Sequence, residues 1–275
     1  MDLSIVILHH NSPDEVSENL QALSRAWLPL HTEVFVVNNG KKGANAFIPF
    51  ERNFKFDLRF FEIENLGYPQ GNNFGLRMAA GKALCILNPD VKVQPDTFRV
   101  LLDYLEAHPK VGLVAPRLRY PDGRIQDNYR VFPRPFDLLV KRTFLRRFFG
   151  SRMRRYLMWD KDATVSEPVD WLTGAFHLMP RKVWEVAKPN DERFFLFMSD
   201  VDLSRHIWEK GYEVHFVGAT EAAHLEGRLS GGGILDFFRK KTLRIHVLDA
   251  ARYYLKYAFR RFPKKSPSGC ALPRF

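Results

Sequence analysis

Cysteine is nearly absent: the 275-residue chain holds two, Cys85 and Cys270. One lies in the apolar run 83–87 and the other in a Pro/Ser/Gly-rich tail, so there is neither a disulfide framework nor a zinc-ligand spacing. A reducing compartment, the cytoplasm, is expected. No apolar run approaches the roughly 20 residues that a membrane-spanning helix needs. The segment 1–4 lacks a basic stretch leading into an apolar one, so no secretory leader is expected. No internal repeat is visible. Acidic residues are in deficit, 31 against 42 Lys and Arg, leaving a formal charge of +11. Such an excess attracts an anionic partner: a nucleotide phosphate, nucleic acid or an acidic membrane face. It says nothing about fold.

What is present is an ordinary core composition, 45% hydrophobic, and a regular alternation of elements. The mostly apolar runs 3–8, 33–37 and 82–87 read as buried parallel strands, and 58–63 as a further strand. Between them, 15–26 carries Val16, Leu20 and Leu23 on one helical face, and a glycine- and asparagine-rich loop, 67–75, opens a helix to Ala80. A helix over 95–107 and strands over 112–116, 171–180 and 213–217 follow. Alternating strands and helices predict a doubly wound, mostly parallel α/β sheet flanked by helices, with ligands at the carboxyl ends of the strands.

Two acidic sites end apolar runs. Asp200 and Asp202 follow the run 194–198, and Asp90 follows Leu87, Asn88 and Pro89. A carboxylate beside an apolar wall loses water, and its pKa rises toward the range useful to a general base. A competing reading makes Asp200 or Asp202 the N-cap of the helix that follows. Two acidic sites at two strand ends favour a metal-dependent active site.

The ordered pieces resemble the family 2 glycosyltransferases of GT-A fold, most closely the branch of rhamnosyltransferases in bacterial surface polysaccharide assembly. The resemblance covers about 3–233 and is carried by 3–11, Val36-Val37-Asn38-Asn39-Gly40, the loop 65–75, Leu87-Asn88-Pro89-Asp90, the segment 171–176, and the block 191–203 with Gly211-Tyr212. It implies donor contacts from His9, Asn11, Asn38, Asn39, Gly67, Gly71, Asn72 and Asn88, with Asn72 at the sugar-nucleotide. It implies an acceptor side of Trp171, Thr173, Gly174 and Asp202. It implies Asp90, with His224, as ligands for Mg2+ or Mn2+, and Asp200 as the base of an inverting single displacement. The donor would be a dTDP- or UDP-linked sugar and the acceptor a glycan or lipid-linked glycan.

Two positions depart from the family pattern: Asn38 stands where Asp is usual, and Ser199 where Glu is usual. They leave open a second reading, a catalytically weakened homologue acting as a membrane-associated scaffold. Basic and aromatic residues interleave over 141–156 and 235–262, as in peripheral helices on anionic membranes. Ordinary packing of helices with a solvated basic face explains them equally well. No recognised nucleic-acid module accompanies them, and no nucleic acid is expected. The expected division is a transferase domain, 1–233, and a basic amphipathic helical segment with its tail, 234–275.

Overall fold

A computed structural model describes residues 1–43, 45, 54–187, 190–225 and 241–263. Three strands, β1 (Leu3–His9), β2 (Thr32–Asn38) and β4 (Ala83–Leu87), are buried along their whole length. Their runs have no polar face to turn to water, which is why they sit at the centre of the sheet. With β3 (Asp57–Glu62) at the edge they form the parallel half, ordered β3-β2-β1-β4. The sheet then changes direction. Strand β10 (Phe176–Pro180) runs antiparallel between β4 and β6 (Val111–Arg119), and β11 (Glu213–His224) runs parallel to β6. Short β5 (Val91–Val93) and β8 (Glu167–Pro168) pair antiparallel with β11.

Helix α1 (Pro13–Arg25) packs Val16, Leu20 and Leu23 into the core. The loop expected at 67–75 is instead helix α2, Tyr68–Met78. Gly71 is needed there because a Cβ would come within 2.5 Å of the Leu8 side chain, so α2 lies directly against β1. Gly67 precedes the helix with φ 112°, a conformation that side chains disfavour. The expected strand 171–180 is two strands, β9 (Trp171–Leu172) and β10, divided by a turn at Gly174 and Ala175. β9 pairs with β7 (Tyr129–Arg130) in a small second sheet.

Helix α3 (Thr97–Ala107) packs beside β6 and β11. The basic aromatic stretch after β7 folds as α4 (Pro135–Arg142), a 3-10 turn (Phe144–Arg147) and α5 (Gly150–Tyr156). Helices α6 (Arg181–Ala187) and α7 (Ser199–Glu209) precede β11. The expected boundary at 233/234, with Phe237, Phe238, Arg239 and Lys240, lies outside the described residues. Beyond it, α8 (Lys241–Lys256) turns Tyr253 inward, and Tyr253 and Tyr257 belong to the same core cluster as the sheet. Its outer face leaves Leu248 and Leu255 exposed beside Arg244 and Arg252. No helix among the described residues is long and apolar enough to cross a membrane.

Candidate active site

A cleft of about 1110 Å3 opens over the carboxyl ends of β1, β2 and β4. It exceeds the roughly 300–1,000 Å3 usual for one small ligand. Its walls bring together His9, Asn11, Asn39, Asn88, Asp90, Trp171, Thr173, Asp200 and His224.

At the end of β1, His9 bonds Asn45 through Nε2 at 2.9 Å, while its buried Nδ1 has no hydrogen-bond partner. Burial holds this imidazole below its usual pKa, hence neutral at pH 7. Asn11 adopts φ 61° and accepts from the Lys41 N–H at 2.5 Å, joining the first and second loops. Asn39 and His10 face each other at 3.2 Å.

Asp90 is 5% exposed, and its Oδ2 lies 3.0 Å from His224 Nε2. Gln126 orients that histidine. Its amide N–H donates to the His224 carbonyl at 3.0 Å, so its amide oxygen must accept from Nδ1 at 2.7 Å. Nε2 is thereby turned to the Asp90 carboxylate, and a metal cation between them would be met by one nitrogen and one carboxylate oxygen. Among the described residues no group of three or more His, Cys, Asp or Glu could hold a metal. The protein offers one carboxylate and one imidazole. That set suits a divalent ion taking its remaining oxygens from substrate phosphates and water.

Asp200 lies in the first turn of α7. Its Oδ1 accepts from the Val201 N–H at 2.9 Å and its Oδ2 from the Gly174 N–H at 3.3 Å. Loss of water raises its pKa against these bonds and the pull of Arg130. Neither Asp200 nor Asp202 is the N-cap; that position is Met198, in a left-handed conformation with φ 66°.

Several expected site residues do not line the cleft. Asn38 closes its own turn, accepting from the Gly40 N–H at 2.8 Å and donating to the Lys41 carbonyl at 2.7 Å. Asn72 is fully buried in α2 and donates to the Tyr68 carbonyl at 3.0 Å. Gly67 and Gly71 serve close packing, against the Phe195 backbone and Leu8. Gly174 meets the site through its N–H to Asp200. Asp202 points into the core, where Lys256 and the Tyr257 hydroxyl each bond it at 2.7 Å.

Other residues shape the site without having been singled out. Buried Asn19 on α1 donates to the carbonyls of Asn88 and Val91, at 3.0 and 2.7 Å, straddling Asp90. An Asn on the apolar stripe of a helix was the only sign of it. The Tyr68 hydroxyl bonds both the Gly174 carbonyl at 2.6 Å and Asn88 at 3.1 Å, joining the two acidic sites. The Asp249 carboxylate, fully buried on α8, accepts the N–H groups of Phe195, Leu196 and Phe197 at 3.0–3.2 Å. It thereby fixes the loop that delivers Asp200. Asp249→Ala strands these donors and is expected to lower stability by about 3 kcal/mol. Urea denaturation checks this; an unchanged midpoint would show that water replaces the carboxylate.

The family model described as "Glycosyl transferase family 2" matches residues 4–166. An N-acetylglucosaminyl-diphospho-decaprenol L-rhamnosyltransferase of Mycobacterium tuberculosis is 29% identical over 150 residues, 53% of this chain and 48% of that protein. The chain thus spans about half the length of that relative. A rhamnosyltransferase of Escherichia coli K12 is 23% identical, covering 68% of this chain and 69% of its own. A mannosyltransferase of Pyrobaculum calidifontis, solved with GDP-Man and Mn2+, superposes with a TM-score of 0.57 at 18% identity, over 91% of this chain and 64% of that one. The fold is that of the GT-A glycosyltransferases, and the chain belongs to glycosyl transferase family 2.

Proposed function

We propose that the chain is an inverting glycosyltransferase that moves a sugar, rhamnose in the first instance, from a dTDP- or UDP-linked donor to a glycan or lipid-linked glycan. The observation that carries this reading is one cleft holding an Asp90–His224 pair suited to a cation and a desolvated carboxylate, Asp200, on another wall.

The nucleotide would lie over the carboxyl ends of β1 and β2, against His9, His10, Asn11 and Asn39. Mg2+ or Mn2+ held by Asp90 and His224 would neutralise charge on the departing diphosphate. Asp200 takes the proton of the acceptor hydroxyl as that oxygen attacks the face opposite the leaving group. Its two N–H bonds aim the carboxylate, and Tyr68 holds the Gly174 segment that supplies one of them. One displacement inverts the anomeric centre and needs no enzyme nucleophile. Trp171 and Thr173 line the cleft near Asp200, where the acceptor would lie.

The basic excess suits work at the inner face of a cytoplasmic membrane, where a lipid-linked acceptor would be found. A screen of dTDP-, UDP- and GDP-sugars, with and without Mn2+, tests the reading by nucleoside diphosphate release. Metal-dependent release from a pyrimidine donor is expected. Release from GDP-sugars alone would overturn the base assignment, and no release from any donor would favour a scaffold.

A further inference from the structure

One wall of the cleft gathers basic side chains close together, apart from the carboxyl ends of β1 and β2. Arg130 on β7, Lys141 on α4 and Arg146 in the 3-10 turn all line it. Arg130 and Arg146 are held over aromatic rings, with Cζ 4.9 Å from the Trp171 centroid and 5.4 Å from the Trp159 centroid. Lys141 Nζ lies 5.8 Å from the Tyr156 centroid. Stacking orients a guanidinium while leaving in-plane N–H donors for an oxyanion. The Nε of Arg130 is buried without a hydrogen-bond partner.

This wall is on the acceptor side. Arg130 stacks on Trp171 and acts electrostatically on Asp200. The same lip turns two aromatic side chains outward: Phe144 is 77% exposed and Phe148 72%. Exposed apolar rings beside a basic wall suit an anionic group joined to a hydrocarbon chain.

We propose that Arg130, Lys141 and Arg146 form a subsite for a phosphate or diphosphate carried by the acceptor, with an attached lipid leaving the cleft over Phe144 and Phe148. This deepens the transferase reading and rests on it. Holding that phosphate beside Asp200 would present the acceptor hydroxyl to the base.

Farnesyl diphosphate is the probe, titrated into the full chain saturated with Mn2+ and the tightest-binding of UDP, dTDP and GDP. The K141Q/R146Q double variant changes two side chains outside the core, and its Tm confirms folding. Farnesyl diphosphate should bind the wild type and lose on the order of tenfold or more in the variant, since charge-assisted contacts are removed. Nucleoside diphosphate affinity should stay within about twofold, because the donor is held elsewhere. Inorganic pyrophosphate binding as tightly as farnesyl diphosphate supports the phosphate subsite and points to a phosphate-bearing glycan; much weaker binding assigns the lipid. Unchanged farnesyl diphosphate affinity in the variant, or an equal loss of nucleoside diphosphate affinity, overturns the proposal. If no nucleoside diphosphate binds the wild type, the transferase reading fails, and the farnesyl diphosphate titration alone still reports on the wall.

Discussion

Replacing Asp200 with Asn is expected to slow sugar transfer by about 10²–10⁴-fold, the usual worth of a general base. Nucleoside diphosphate binding should persist, because the nucleotide is assigned to the loops after β1 and β2 rather than to α7. Asn keeps the shape and can still accept from one of the two N–H groups of Val201 and Gly174. Loss of transfer with intact nucleotide affinity would therefore be chemical rather than structural. The wild-type pKa is raised by desolvation, so ionising Asp200 costs folding free energy. That cost is absent below the ordinary carboxylate pKa and develops as pH rises to the raised one. Wild-type stability should fall relative to the variant across that window. Thermal melts at a series of pH values check this; parallel curves would place Asp200 in water.

The second large effect concerns Asp90. Asp90→Ala should abolish the gain in nucleoside diphosphate affinity that Mn2+ provides, a loss on the order of 10–100-fold or more, since losing even an outer partner of a metal ligand costs that much. The carboxylate faces His224, whose other nitrogen is committed to Gln126. The Asp90 carbonyl accepts from the Leu225 N–H at 3.1 Å, and a substitution could disturb β11. Asp90→Asn keeps the volume and serves as the second variant. Calorimetry with and without Mn2+ is the measurement. A metal-dependent affinity unchanged in both variants would remove Asp90 and His224 from cation binding.

The central sheet was legible because 5–8, 34–37 and 83–87 are unbroken apolar runs, as strands buried on both faces carry. Asp90 and Asp200 stood out because each follows such a run. The first turns of helix α2 were hidden: a run rich in Gly and Asn has low helix propensity, and packing of Gly71 on Leu8 overrides it. The same packing takes Asn72 below the cleft. Asp202 could have been placed from geometry alone, since residues two apart on a helix do not face the same way. With Asp200 on the cleft, Asp202 turns to Lys256 and Tyr257. The reversal at β10 and the grip of Asp249 on the loop before α7 carried no local signal. The second links positions more than fifty apart in the chain, 195 and 249.

The reading of the cleft stands or falls on Asp200 acting as the base, and the pH dependence of acceptor-stimulated nucleoside diphosphate release tests that most directly. Wild-type activity should fall with acid along a limb set above the ordinary carboxylate range, because the raised pKa protonates the base early. In Asp200→Asn that limb should be missing from the small residual rate. An acid limb at the same pH in the variant, with near-normal turnover, would contradict the account.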